Sequence, residues 1–147
     1  MILGLDPGPE QSALVGWDGT RVCFGHMYAL ADLRVALTAN SAHDTTLAIE
    51  GISPYGTAIG RSTIQTCYVI GRACETWYRL TGDEPTIIER PDIKLRLLGQ
   101  RKGTDAQVRE ELIHRIGPVG TKKAPGPLYG ISSHLWAALA VAVACEA

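Results

Sequence analysis

The sequence has no excess of positive charge: 14 basic residues stand against 15 acidic ones, a net charge of −1. A general coat of polyanion-binding charge is therefore excluded, and any nucleic-acid site has to be a local basic patch, compatible with an acidic pocket beside it. Cysteines are few. Cys23, Cys67, Cys74 and Cys145 form no C-x-x-C pair and have no histidine at zinc-finger spacing. This argues against structural zinc and reads as buried free thiols, which suit a reducing cytoplasm. The segment Met1 to Leu5 has no basic stretch before it, so it does not read as a signal peptide. No run reaches ~18 uninterrupted apolar residues, so no membrane span is expected. There is no internal repeat, low-complexity segment, G-x-S-x-G, P-loop or G-x-G-x-x-G.

What is present suits an ordinary soluble globular protein. At 147 residues, 46% hydrophobic and 20% charged, the chain reads as one domain, residues 1–147, able to bury a core without disulfides. Met1 to Leu5 is a short apolar β run stopped by Asp6 and the turn Pro7-Gly8-Pro9. Ala13 to Trp17 and Arg21 to Tyr28 flank the tight-turn pair Asp18-Gly19 and predict an antiparallel hairpin. Leu30, Leu33, Ala36 and Leu37 recur at helical spacing, which predicts a helix over 29–40. Thr45 to Ile49 is a β run ending at Glu50. A long helical pattern over 58–80 carries more apolar surface than one core face needs, so a second buried face such as a dimer contact is expected. A strand over 85–88, helices over 92–98 and 104–116, and a glycine- and proline-rich loop over 117–130 follow. Ile131 to Cys145 predicts a buried terminal helix capped by Ser132 or Ser133. An antiparallel start followed by parallel crossovers makes the class α/β.

Asp6 and Glu50 carry the strongest chemical signal. Each ends an apolar β run and precedes a Gly/Pro loop, where a buried carboxylate is costly unless something positive neutralises it. Strand ends in open α/β sheets are where ligands bind. If the two strands are neighbours, the pair forms hard oxygen ligands for Mg²⁺ or Mn²⁺; otherwise each caps a turn. His134 is the third candidate. At the start of the last helix, the dipole and free N–H groups disfavour a cation and leave the imidazole able to bind metal. Lys94-Leu-Arg96-Leu-Leu-Gly-Gln-Arg101-Lys102 holds four cations and no acid. It predicts phosphate contact, with Gly99 and Gly103 allowing close backbone approach; the alternative is a solvated basic loop. Lys122 and Lys123 could extend the patch. Tyr55 either stacks on an unpaired base or covers the core edge.

With these residues in view, the chain resembles the RuvC family of Holliday-junction resolvases, in its phage-type branch. Ile2-Leu-Gly-Leu-Asp6-Pro-Gly8 resembles the family's opening strand with its catalytic Asp. Leu47-Ala-Ile-Glu50 resembles the central strand with its catalytic Glu. Lys94, Gly99 and Gln107-Val108 resemble a K-x4-G and Q-V pattern before a DNA-facing helix. His134-Leu-Trp-Ala-Ala-Leu-Ala-Val-Ala142 resembles the terminal D-x-x-D-A-L-A helix. The set spans the chain in the family's order.

This resemblance implies an RNase H-like mixed five-stranded sheet flanked by helices, a homodimer, and Mg²⁺-dependent cleavage of branched DNA such as four-way junctions by two-metal hydrolysis. It implies metal ligation by Asp6, Glu50 and His134, with Mn²⁺ able to substitute. Lys94 would be a catalytic phosphate contact. Lys94, Arg96, Arg101, Lys102 and Tyr55 would bind DNA. The setting would be the cytoplasm of a bacterium or a phage-infected host. The chain also departs from the pattern: Ala137 stands at the second acid of the last helix, Asp105 near a usual second basic residue, and Ser53 at a usual aromatic. The alternatives are a related nuclease acting on other structured nucleic acid and a non-cleaving branched-DNA-binding module, or disabled variant, lacking an acid at Ala137.

Overall fold

A computed structural model describes residues 1–54, 56 and 58–147. Alternating apolar runs build a five-stranded sheet from β1 (Ile2–Asp6), β2 (Gln11–Trp17), β3 (Val22–Ala29), β4 (Thr46–Gly51) and β5 (Thr86–Glu89). Its order is β3-β2-β1-β4-β5. β2 pairs antiparallel with β1 and, across the turn at Asp18-Gly19, with β3, while β4 pairs parallel with β1 on one side and with β5 on the other. Five helices are found among the described residues: α1 (Leu30–Ala39), α2 (Arg61–Thr81), α3 (Arg90–Leu98), α4 (Asp105–Ile116) and α5 (Leu135–Glu146). The fold is the mixed α/β sheet with flanking helices that the sequence predicts.

The period of two along the strands sorts the core into two layers. Leu3, Leu5, Leu14, Leu47 and Ile49 face α1 and α2, where they meet Leu33, Leu37, Val69, Ala73 and Trp77. Ala13, Val15, Trp17, Ala48 and Ile88 face α3, α4 and α5. Helix α5 is apolar all round, and its residues Ala138 to Ala144 are buried. It crosses β1 closely because Gly4 has no side chain: a Cβ there would collide with the Ala138 carbonyl and press on the Ala142 methyl. Trp17 Nε1 donates to Glu146 Oε2 at 2.8 Å and pins the far end of α5.

Several boundaries differ from expectation for local reasons. Helix α3 starts at Arg90, with Pro91 in its first turn, where a missing N–H costs nothing. Helix α5 starts at Leu135, not Ile131, and neither serine caps it by its side chain. Instead Ser133 takes a positive φ of 48° and carbonyls of Ser132, Ser133 and His134 accept the first N–H groups. In contrast, Thr104 caps α4 in a reciprocal capping box with Gln107. The four cysteines are free, but the expectation of burial fails: Cys23 and Cys67 are exposed, Cys74 and Cys145 half-buried. Among the described residues, no helix is long and apolar enough to cross a membrane.

Candidate active site

Parallel pairing of β1 and β4 sets Leu5 opposite Ile49, so Asp6 and Glu50 leave the sheet side by side. Both are nearly buried, with side chains 13% and 11% exposed. Burial raises the pKa of each carboxyl above its ordinary value. His134 and Arg90 oppose that rise at Asp6, and Arg90 opposes it at Glu50, where Asp6 and Asp105 reinforce it. His134 reaches the same point from the N-cap of α5, its Nδ1 lying 2.9 Å from Asp6 Oδ2. The contact follows from the seating of α5 on Gly4, which brings the helix start to the end of β1.

A cleft of about 320 Å³ opens beside these groups, lined by Glu50, Arg90, Lys94, Arg109, His134 and Ala137 among others. Lys94 therefore reaches the cleft as expected, though its Nζ is already 3.1 Å from Asp105 Oδ1 and its side chain is only 17% exposed. A larger groove of about 980 Å³ lies between α1 and α2, on the opposite face of the sheet, and holds none of the candidate catalytic residues.

The basic segment divides. Arg96 donates to the Ala144 carbonyl in the last turn of α5, at 3.1 Å. That end of α5 is roughly 15 Å from His134 at 1.5 Å per residue, so Arg96 caps the far end of α5, away from the cleft. Arg101 is exposed and pairs with Asp92 at 2.6 Å; Lys102 is exposed. Gly99 is the left-handed C-cap of α3, and Gly103 is packed against Leu98, so the fold itself calls for both glycines. Tyr55 lies outside the described residues.

Sequence reasoning missed Arg90, the side chain most engaged with the carboxylates. Its Nε donates to Glu50 Oε1 at 2.7 Å, and an Nη atom lies 3.4 Å from Asp105 Oδ2. Burial alone would lower its pKa, but Glu50, Asp105 and Asp6 outweigh that and raise it. The available signal was its place directly after β5, two residues beyond the position in register with Glu50. Arg109, whose guanidinium sits 4.7 Å over the Trp136 ring, also lines the cleft; nothing in the one-dimensional pattern marked it.

In residue type, two buried carboxylates and an imidazole fit a hard divalent cation. As the side chains stand, no three His, Cys, Asp or Glu groups among the described residues gather around one point. Glu50 is turned to Arg90, and His134 to Asp6.

The described fold can be compared with solved structures. Thermus thermophilus RuvC matches over 97% of this chain and 91% of its own, with a TM-score of 0.65 and 18% identity. The chain shares the fold of RuvC. A second structure, T. thermophilus RuvC in complex with a Holliday junction substrate, matches over 97% and 90% with a TM-score of 0.69, again at 18% identity. No protein-family model matches the sequence, and no curated protein matches it significantly.

Proposed function

We propose that this protein is a metal-dependent endonuclease that cleaves phosphodiesters in four-way or other branched DNA, in recombination, repair or phage genome processing. The observation that carries this reading is the pairing of Asp6 and Glu50 at the ends of adjacent parallel strands, beside a cleft lined by Arg90, Lys94 and Arg109. Isolated buried carboxylates are expensive; acids set beside a cationic cleft suit hydrolysis of a phosphodiester.

Asp6, Glu50 and His134 would hold Mg²⁺ or Mn²⁺. Bound there, the ion would supply Lewis-acid stabilisation and an activated water. His134 also orients Asp6 through their hydrogen bond. Lys94 and Arg109 present positive charge to a phosphate in the cleft, and Lys102 offers an exposed cation farther along the backbone path. RuvC, which shares the fold, has been captured on a Holliday junction, and that supports branched DNA as the substrate class. A homodimer suits a two-fold junction, one strand per subunit. The apolar surface left on α2, with Tyr68 65% and Ile64 45% exposed, supports that helix as the dimer face.

The deciding experiment is cleavage of an end-labelled four-way junction with Mg²⁺ or Mn²⁺. Paired, symmetric, metal-dependent nicks are expected; a fork, hairpin and RNA panel run in parallel identifies the preferred branch. One observation favours a second reading, a branched-DNA-binding module that does not cut. Ala137 lines the cleft beside Glu50 and His134, where a further acid would complete the ligand set. Junction binding without nicks in either metal would select it.

A further inference from the structure

Arg90 occupies an electrostatically awkward place. It is the first residue of α3, where the helix dipole disfavours a cation. Two carboxylates offset that cost: Glu50, gripped at 2.7 Å, and Asp105, at 3.4 Å from an Nη atom. Asp105 opens α4 and is also held by Lys94 one turn along α3, at 3.1 Å. The two ends of the guanidinium thus lie between an almost buried acid and an exposed one, Glu50 at 11% and Asp105 at 71%. A guanidinium fork can bridge two acids in this way; an ammonium is a point charge and cannot. The Arg90 side chain is 43% exposed, so solvent reaches it on the side away from Glu50.

We propose that Arg90 is a tethered counter-cation of the catalytic centre, holding Glu50 while no metal is bound and shifting to Asp105 to release Glu50 as a ligand. The inference rests on the metal-nuclease reading. Arg90 neutralises Glu50 in the metal-free protein, where the acid would otherwise stand buried and unpaired beside Asp6. Arg90 therefore competes with metal for one carboxylate, and Asp105 sets the strength of that competition by drawing Arg90 away.

The test is Mn²⁺ binding to the metal-stripped protein without DNA, read from the loss of the free-ion paramagnetic resonance signal. The variants are Arg90→Gln, Arg90→Lys, Asp105→Asn and Arg90→Gln/Asp105→Asn, with Asp6→Asn as control. Arg90→Gln should tighten binding about tenfold, the effect of removing one charge pair of ~1.4 kcal/mol. Arg90→Lys retains a cation for Glu50 but cannot reach Asp105 at the same time, so it should bind Mn²⁺ about threefold more weakly than the parent, as Asp105→Asn does. Asp105→Asn should weaken binding about threefold in the parent and leave the Arg90→Gln background unchanged, because it acts through Arg90. Unaltered affinity in Arg90→Gln, with binding still dependent on Asp6, overturns the competition and leaves the metal site standing. Equal weakening by Asp105→Asn in both backgrounds overturns the exchange of seats. Mn²⁺ binding indifferent to Asp6→Asn sinks the metal reading, and this inference with it. Melting curves in chelator verify that each variant is folded.

Discussion

His134 Nδ1 lies 2.9 Å from Asp6 Oδ2, a contact between residues 128 positions apart. Its geometry depends on Gly4, which lets α5 lie against β1. Gly4→Ala would drive a methyl into the Ala138 backbone, and neither a strand nor a buried helix can retreat freely in a close-packed core. We expect a loss of roughly 3 kcal/mol, at the upper end for overpacking, measured by urea unfolding. Junction cleavage should fall as well, since α5 carries His134. A variant as stable as the parent would mean that α5 is seated otherwise.

Asp6→Asn tests the carboxylate role separately. The substitution removes a negative charge from the ligand set and leaves Lys94, Arg109 and Lys102 in place. Cutting should fall to background while junction affinity in gel-shift assays remains within about threefold of the parent, since phosphate contacts dominate affinity. Parallel loss of binding and cutting would assign Asp6 to folding or to DNA contact instead.

The raised pKa of Asp6 has a consequence for stability that needs no metal. A carboxyl whose folded pKa exceeds its unfolded value near 3.8 binds its proton more tightly in the native state. Its stabilising contribution is therefore full below that value and is lost as pH rises through the folded pKa. Asp6→Asn, which cannot ionise, should match the parent at the acid end of this window and become relatively more stable as pH rises above it. Melting temperatures in chelator across pH 3.5 to 7 would check the sign. A variant that grows relatively less stable with pH would show that His134 and Arg90 together outweigh burial at Asp6.

Two cations of the predicted basic segment, Arg96 and Lys102, should behave in opposite ways. Arg96→Ala removes a hydrogen bond to the Ala144 carbonyl and should cost about 1 kcal/mol of stability, with no change in the salt dependence of junction binding. Lys102→Ala should leave stability intact and lower the slope of log K against log salt by about 1, if it neutralises one phosphate. A reduced slope in Arg96→Ala would return that residue to the DNA interface.

Much of this architecture was legible from the residues alone. Alternation and turn chemistry at Asp18-Gly19 predict the hairpin, and strand-end placement singles out Asp6 and Glu50. Their adjacency was conditional on strand order, which period-two patterns do not encode; the parallel pairing of β1 with β4 resolves it. The hydrogen bond of Arg96 to the end of α5 is not legible in the sequence, because a linear cluster of cations says nothing about which face of α3 each occupies. Arg90 falls in the gap between the strand predicted over 85–88 and the helix predicted over 92–98, whereas α3 begins at Arg90 itself. Ser132 and Ser133 looked like caps by type, yet the tight positive-φ turn at Ser133 satisfies the first α5 N–H groups with carbonyls.

Ala137 offers the most direct probe of catalytic competence. It lies three residues after His134, so both look out from the same side of α5, and both line the cleft with Glu50. A carboxylate there would add a hard donor without displacing a core side chain, because the position is only half-buried. Ala137→Asp should therefore tighten Mn²⁺ binding and raise the rate of junction cleavage severalfold over that of the parent. Single-turnover cleavage with each metal measures this directly. Equal rates would mean that Asp6, Glu50 and His134 form a sufficient ligand set. Cutting confined to Ala137→Asp would instead make the natural chain a branched-DNA-binding module that retains the nuclease scaffold and lacks one ligand.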